Sequence, residues 1–263
     1  WSSDVCSSDL FEFEIRPIYH TLETGYGANI NSVTFADMTL KAGVLDFMSV
    51  ELGWTPYTTQ RVRIRATNDI FHRDGTGDLV VAARVNIFGN DGGFCCFTCG
   101  EGCCAGCTSG SGCVCKVGGP NSPTCGLAVG AYAAMSIPTS SGDFENDNVE
   151  ARFLIPVSYS CCCTGLTAFT QFGIDLLSGG DRSSHVVFLN TLGVRRHFVN
   201  CFSAFVEFTS NASTLSGDPW IGTANIGCTL HLCRNFEAYI RAEAGLSKAA
   251  SDLAWGIGAS LRY

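Results

Sequence analysis

The chain has 263 residues, of which 46% are hydrophobic and 15% are charged, and its formal net charge is −8. An acidic chain with few clusters of lysine or arginine is a poor candidate for binding nucleic acid. No apolar run reaches the roughly 18 residues of a transmembrane helix, which excludes a helical membrane protein. A β-barrel is compatible with this hydropathy, because apolar and polar residues alternate in its strands.

Residues 1–10 contain the near-repeats SSDV and SSDL and lack the apolar region of a signal peptide. We interpret them as a non-native scar and exclude them, with Cys6, from the fold prediction. The native amino terminus is therefore expected to be missing. Residues 11–263 are expected to form a single domain.

The first predicted strand begins at Phe11, where apolar and polar side chains start to alternate. Residues two apart share one face of a strand. The predicted outer residues are Phe11, Phe13, Ile15, Pro17 and Tyr19, and the predicted inner residues are Glu12, Glu14, Arg16 and His20. Residues 21–33 are polar and rich in glycine and asparagine, which predicts a loop. A hairpin is predicted over 35–54 with a tight turn near 45–46, and a long polar loop over 58–76.

The remaining predicted strands follow the same alternation. They cover 79–88, 127–135, 149–160, 166–176, 186–198, 202–210, 220–230, 236–246 and 253–263. The count is about twelve, an even number as in single-chain bacterial barrels, with ten or fourteen as alternatives. Long and short connections alternate along the first strands, as they do between the outer and periplasmic ends of such barrels.

The last segment, LAWGIGASLRY, has Leu253, Trp255 and Ile257 on one face and small or polar residues on the other. Its length of about ten residues suits a tilted strand that crosses a bilayer. The terminal Tyr263 fits the aromatic girdle at a membrane interface. The sequence therefore predicts an all-β fold, an antiparallel transmembrane β-barrel of twelve strands in the bacterial outer membrane. A soluble, disulfide-rich β-sandwich is the weaker alternative.

Four stretches resemble one known family: LKAGVLDFMSVELGWTPY (40–57), GTGDLVVAARVNIFG (75–89), GLAVGAYAAMSIPTSSGD (126–143) and WGIGASLRY at the end. They resemble the outer-membrane transporters labelled as the meta-pathway of phenol degradation family. The resemblance implies a barrel for uptake of small, often hydrophobic molecules, and it supplies no site residues. The cysteine-rich segment 94–125 departs from the family pattern.

The 16 cysteines favour an oxidising compartment. We expect residues 90–125 to be an insertion that forms a periplasmic cap held by disulfides, because a glycine-rich segment has little core of its own. The candidates for disulfide bonding are Cys95, Cys96, Cys99, Cys103, Cys104, Cys107, Cys113, Cys115, Cys125, Cys161, Cys162, Cys163, Cys201, Cys228 and Cys233. Disulfides to an envelope partner are a variant of this prediction.

Metal binding is the competing interpretation of the cysteines. Cys96-x2-Cys99 and Cys104-x2-Cys107 have the spacing of metal ligands. The two pairs are much closer together than the roughly 15–20 residues that separate the pairs of a zinc ribbon. Disulfides are therefore favoured over a zinc or iron–sulfur site and over unpaired thiols, and no metal or other cofactor is predicted.

Charged side chains on the predicted inner faces are candidates to line the lumen. They are Glu12, Glu14, Arg16, Asp37, Glu51, Arg84, Glu150, Arg152, Asp175, Glu207, Arg241 and Glu243. They form either a selective pore lining or a salt-bridged network that fills a small barrel. Their mixed signs argue against a strongly ion-selective ring of one charge.

Other polar motifs carry weaker hypotheses. The string Asp181-Arg182-Ser183-Ser184-His185 is the only hint of nucleophilic catalysis, and sequence neighbours in a loop seldom form a catalytic triad. We therefore predict that the protein is not an enzyme. Arg61, Arg63 and Arg65 either contact lipopolysaccharide phosphates or form a solvated loop edge.

The sequence predicts a passive outer-membrane channel or transporter for small solutes, hydrophobic or aromatic ones included. The alternative is a structural envelope protein whose cysteine-rich lid is cross-linked. The expected partners are outer-membrane lipid and lipopolysaccharide, a small-molecule solute, and the barrel-assembly machinery that engages the carboxyl-terminal strand; nucleic acid is not expected.

Overall fold

The computed structural model describes residues 11–25, 28–45, 47–89, 126–144, 148–161, 164–178, 184–199, 201–233 and 235–263. Within these ranges the chain forms fifteen β-strands and no helix. None of the described residues belongs to a helix long and apolar enough to cross a membrane.

The strands differ in length from two to eighteen residues. Their bounds are β1 Phe11–Gly25, β2 Ala28–Leu45, β3 Met48–Trp54, β4 Tyr57–Ile64, β5 Ile70–Thr76, β6 Leu79–Phe88, β7 Gly126–Ile137, β8 Ser141–Gly142, β9 Glu150–Cys161, β10 Leu166–Ser178, β11 Ser184–Val199, β12 Phe202–Ser213, β13 Ile221–Cys233, β14 Phe236–Gly245 and β15 Leu253–Arg262.

The sheet closes on itself because β1 pairs with both β2 and β15. All pairings are antiparallel. β2 pairs with β3 near its carboxyl end and with β4 near its amino end, so β3 and β4 occupy one position in the ring. β5 with β6, and β7 with β8, share positions in the same way. Fifteen strands therefore make a closed barrel of twelve positions, which confirms the predicted architecture.

The distribution of side chains is the reverse of that in a soluble protein. Among the described residues the buried hydrophobic side chains are only Ala82, Leu154, Ala250 and Ala254. Polar groups are buried instead, with Glu12 and Asn225 each only 4% exposed. Large apolar residues cover the outside, as shown by Leu192 at 59% and Ile226 at 60% exposure. An apolar exterior around a polar interior is what a barrel in lipid requires.

Two segments predicted to be loops are strands. β1 and β2 continue into residues 21–33, and β4 and β5 fill most of residues 58–76. With the amino-terminal part of β2, β4 and β5 form a three-stranded flap that extends the barrel wall at one end. Polar sequence did not prevent pairing, because an antiparallel ladder satisfies backbone donors and acceptors whatever the side chains are.

A β-bulge in β1 changes which residues face the lumen. The pairing with β15 shifts register between Ile15 and Ile18, next to Pro17, which has no backbone N–H to donate. Beyond the bulge Tyr19 faces inward, with its ring 4.9 Å from Arg241. His20 faces outward, with its ring 5.7 Å from that of Trp255. The predicted faces of Tyr19 and His20 were therefore wrong.

One end of the barrel, called here the Tyr263 rim, carries the short turns. There the backbone N–H of Tyr263 donates to the carbonyl of Phe11 at 2.8 Å, and the N–H of His231 donates to the carbonyl of Cys201, also at 2.8 Å. The turns after β9, β11 and β13 lie at this rim with Cys161, Cys201 and Cys233. The connection between Phe88 and Gly126 also begins and ends at this rim. The flap and the other longer connections lie at the opposite end, called here the loop rim.

Few of the cysteines that were predicted to form disulfides lie among the described residues. Cys201, Cys228 and Cys233 are free thiols, which differs from the predicted disulfide bonding. Cys228 shares strand parity with the exposed Ile226 and Leu230, so its side chain faces away from the lumen. The predicted insertion 90–125 and Cys162 and Cys163 lie outside the described residues, as do residues 1–10.

Candidate functional site: the lumen of the barrel

The barrel encloses a cavity of about 460 Å³. Inner-face side chains from all around the wall line it, and most of them are charged or carry a hydroxyl or amide group. The charged and histidine side chains of this lining are Glu12, Glu14, Arg16, Lys41, Glu51, Arg84, Arg195, His197, Glu207, His231, Glu237, Arg241 and Arg262. Seven of the twelve predicted lining residues are in this set, namely Glu12, Glu14, Arg16, Glu51, Arg84, Glu207 and Arg241.

Seven of these side chains form a continuous series across seven neighbouring strands, which we call the charge ladder. From β13 to β6 its members are His231, Glu237, Arg262, Glu12, Lys41, Glu51 and Arg84. Carboxylates alternate with basic groups, so each carboxylate lies between two basic side chains. Opposite charges on facing strand positions stabilise a sheet, whereas like charges destabilise it.

The centre of the charge ladder is the most buried part. Lys41 Nζ lies 3.2 Å from Glu12 Oε2 and 3.9 Å from Glu51 Oε1. The Lys41 side chain is 12% exposed and that of Glu12 is 5% exposed. Glu12 also accepts a hydrogen bond of 2.6 Å from Ser260 Oγ, and Arg262 Nε lies 3.5 Å away. Strand register produces this contact series, because Arg262, Glu12, Lys41 and Glu51 are successive cross-strand partners.

Two further ion pairs join predicted lining residues nearer the loop rim. Arg16 pairs with Asp37, which also accepts a hydrogen bond of 3.1 Å from Thr55 Oγ1. Arg152 makes a bidentate contact with Asp175, with both N–O distances at 2.7 Å. This planar two-point geometry is the strongest form of a carboxylate–guanidinium pair. The pairs tie β1 to β2 and β9 to β10.

The remaining predicted carboxylates have separate surroundings. Glu14 accepts a hydrogen bond of 2.6 Å from the Tyr239 hydroxyl. Glu207 accepts one of 3.3 Å from Asn225 Nδ2 and interacts electrostatically with Arg241 and Glu243. Glu150, the first residue of β9, interacts electrostatically with Arg152. The structure thus joins most of the predicted residues into a few contact groups on one inner surface.

Arg195 is a cavity-lining residue absent from the predicted set. It is followed by Arg196, whose side chain points to the outside, with its guanidinium 5.2 Å from the Phe198 ring. Because successive side chains of a strand point to opposite faces, one of two adjacent arginines must face inward. The pairing of Arg195 with Thr167 and Phe205 decides which one does, and only the structure gives that register.

Four aromatic rings lie against the inner wall, each over a glycine that is its direct partner on the neighbouring strand. The pairs are Phe169 with Gly193, Phe205 with Gly227, Tyr239 with Gly258 and Tyr19 with Gly256. A Cβ atom at Gly258 would lie 2.2 Å from the Tyr239 ring, and one at Gly193 would lie 2.3 Å from the Phe169 ring. Glycine therefore lets each ring rest on the wall instead of projecting into the cavity.

No family model matches the chain, and no curated protein matches it. Solved structures do. An outer membrane channel from Pseudomonas putida F1 has a TM-score of 0.66 at 9% identity, with 99% of this chain and 97% of that chain covered. The NanC porin has a TM-score of 0.54 at 10% identity, with 95% and 98% covered. The KdgM porin, solved in complex with disordered oligogalacturonate, has a TM-score of 0.50 at 8% identity, with 96% and 98% covered.

These proteins share the barrel architecture with this chain over nearly its whole length. The fold is that of outer-membrane barrels. At 8–10% identity the likeness extends to the fold alone. Membership of the phenol meta-pathway transporter family remains a prediction from the sequence.

Proposed function

We propose that this chain forms a passive outer-membrane channel for small solutes. The observation that carries the proposal is the polar cavity of about 460 Å³ inside a closed barrel with an apolar exterior. The similarity to an outer membrane channel and to two porins supports it. We also propose that the Tyr263 rim faces the periplasm and the loop rim faces outward, because four of the five connections between strands at the Tyr263 rim are short and short turns are periplasmic in such barrels.

The solutes that we propose are small molecules with an aromatic or other apolar face and polar substituents. Phe169, Phe205 and Tyr239 line the cavity, and each offers a ring resting on the wall. Around them the wall supplies hydroxyl groups, among them Thr167, Thr191 and Ser203. A solute can therefore pass with its apolar face on a ring while its polar groups exchange water for hydroxyl partners.

Ion current through the lumen tests the proposal. The purified protein is reconstituted into planar bilayers, and the reversal potential is measured in a salt gradient. Arg195→Gln removes a positive charge from the cavity, and we expect the anion-to-cation permeability ratio to fall by up to about 30-fold, since a unit charge at about 4 Å in water is worth about 1 kcal/mol and acts with opposite sign on the two ions. Arg196→Gln removes the same charge from the outer surface and is expected to leave the ratio unchanged.

Absence of conductance and of solute flux into liposomes, with and without reductant, would contradict the channel. Equal shifts in both variants would show that current does not follow the lumen. Unboiled samples that migrate differently from boiled samples in detergent gels establish that each variant is folded before either result is interpreted.

A further inference from the structure

The flap formed by β2, β4 and β5 carries a row of arginines on its outer face. Arg61 and Arg63 lie two residues apart in β4, and Arg65 follows at the start of the turn with the same parity. All three are exposed. Their parity is that of Tyr57, whose ring lies 6.1 Å from that of Phe35 on the outer surface. The row therefore continues the lipid-facing side of the barrel toward the loop rim.

Asparagine side chains hold two of these arginines in place. Arg63 Nε donates to Asn68 Oδ1 at 2.7 Å, and Arg65 Nε donates to Asn29 Oδ1 at 2.8 Å. Each bond is made by Nε of the guanidinium, so neither bond uses the two terminal amino groups. A guanidinium fixed in this way loses less conformational freedom when it binds a phosphate.

Neighbouring residues leave the row with a net positive charge. Arg61 lies between Asn31 of β2 and His72 of β5, and Arg63 lies between Asn29 and Ile70. Asp74 is the acidic residue of β5 that shares this parity, and it lies beside Thr59, closer to the barrel than the arginines. The outer face of β4 and β5, together with the turn between them, thus has three arginines against two aspartates, Asp74 and the turn residue Asp69.

The height of the row matches the polar layer of a membrane. Arg61 is four residues beyond Tyr57, which corresponds to about 13 Å along a strand at about 3.3 Å per residue. For a strand tilted by about 40°, this is about 10 Å above the aromatic pair. Aromatic girdles mark the edge of the hydrocarbon layer, so the arginines begin where lipid phosphates lie.

We propose that this arginine row binds the phosphate groups of lipopolysaccharide in the outer leaflet. Guanidinium groups pair with phosphate through two parallel hydrogen bonds, and the lipid's acyl chains would lie against Phe35 and Tyr57 just below. The proposal rests on the proposed outward orientation of the loop rim but not on conduction through the lumen, so the lipid site and the channel can fail independently.

Binding of lipid A to the detergent-solubilised full chain tests the proposal, with native mass spectrometry as the readout. We expect bisphosphorylated lipid A to bind at least about tenfold more tightly than the same lipid without phosphates, because hydrogen bonds between charged groups contribute about 1.5–3 kcal/mol. The triple variant R61Q/R63Q/R65Q is expected to lose this preference. Excess inorganic phosphate is expected to leave the lipid bound, since it lacks the acyl chains.

Arg196→Gln is the matched control for Arg63→Gln, because Arg196 is also an outward arginine but lies near the opposite rim. The proposal is overturned if the triple variant keeps the preference, if Arg196→Gln weakens binding as much as Arg63→Gln does, or if both lipids bind equally. Heat-modifiable migration verifies folding, and the single variants decide the question if the triple variant does not fold.

Discussion

The charge ladder and the four glycine–aromatic pairs occupy one inner wall but fill it by different means. In the charge ladder, long side chains neutralise each other across strands, as Lys41 does between Glu12 and Glu51. In the glycine–aromatic pairs, one partner has no side chain and the other covers it. The first arrangement depends on charge balance and the second on space. Removing one charged side chain should therefore destabilise the charge ladder, and adding a Cβ atom at a glycine should destabilise a glycine–aromatic pair.

The largest effect is expected from Lys41→Met. The substitution leaves Glu12 and Glu51 as neighbouring carboxylates, 5% and 10% exposed, without their shared cation. Breaking a buried ion pair on one side costs about 3–5 kcal/mol, and we expect a decrease of this size in the free energy of unfolding in urea. Lys248→Met, in an exposed connection, is the control and should change it by less than about 0.5 kcal/mol. Equal effects of the two changes would mean that the charge ladder does not stabilise the barrel.

A smaller effect is expected from Gly258→Ala. The three atoms nearest to the added Cβ all belong to the Tyr239 side chain, so the ring must move toward the cavity. Overpacking of this kind costs about 1–3 kcal/mol, and single-channel conductance should fall. Gly53→Ala is the control, because the nearest atom to its Cβ would be 3.6 Å away. In a Tyr239→Ala background the loss from Gly258→Ala should disappear, and its persistence would exclude the ring as the cause.

The smallest effect concerns Asp78, a carboxylate at the loop rim outside both arrangements. Burial opposes its charge, but hydrogen bonds from Ser140, Thr139 and Ser136 outweigh it and lower the pKa below the ordinary value of 3.8. Because the folded-state pKa is the lower one, ionised Asp78 stabilises the fold above about pH 3.8, and this contribution is lost as pH falls through the folded pKa. Partial exposure of the site to solvent limits this contribution to less than about 1 kcal/mol.

Amide exchange at Thr139 and Ser140 measures this effect, because their N–H groups donate to Asp78 Oδ1 at 3.0 and 2.9 Å. Exchange corrected for its intrinsic pH dependence should accelerate below about pH 3.8 in the wild type. In Asp78→Asn the acceleration should be absent. A pH response that persists in this variant would assign it to another carboxylate.

The two arrangements also differ in how far the sequence predicts them. Alternation placed Glu12 and Glu51 on inner faces, because charge at every second position is a strong signal. It did not predict the partners of Gly193 or Gly227, because a glycine in a strand gives no sign of which ring covers it. Those contacts depend on the register between two strands, which the sequence of neither strand contains.

Local backbone geometry accounts for the other differences. Simple alternation assigned Tyr19 to lipid, and the bulge beside Pro17 placed it in the lumen. The polar residues 58–76 predicted a loop, and pairing with β2 made strands of most of them. In both places main-chain hydrogen bonding overrides the structure that the side-chain pattern predicts. The sequence of one strand does not show which residues of another strand it pairs with.

The pairing of β1 with β15 has a consequence for the order of folding. These strands are the first and the last of the ring, and the hydrogen bonds between Phe11 and Tyr263 join them. Every other neighbour in the ring can pair while synthesis or translocation continues, but this closure requires the last strand to be present. Until then the sheet has two unpaired edges, which are templates for aggregation. Closure therefore depends on the contact of longest sequence separation, and protection of both edges must last until it forms.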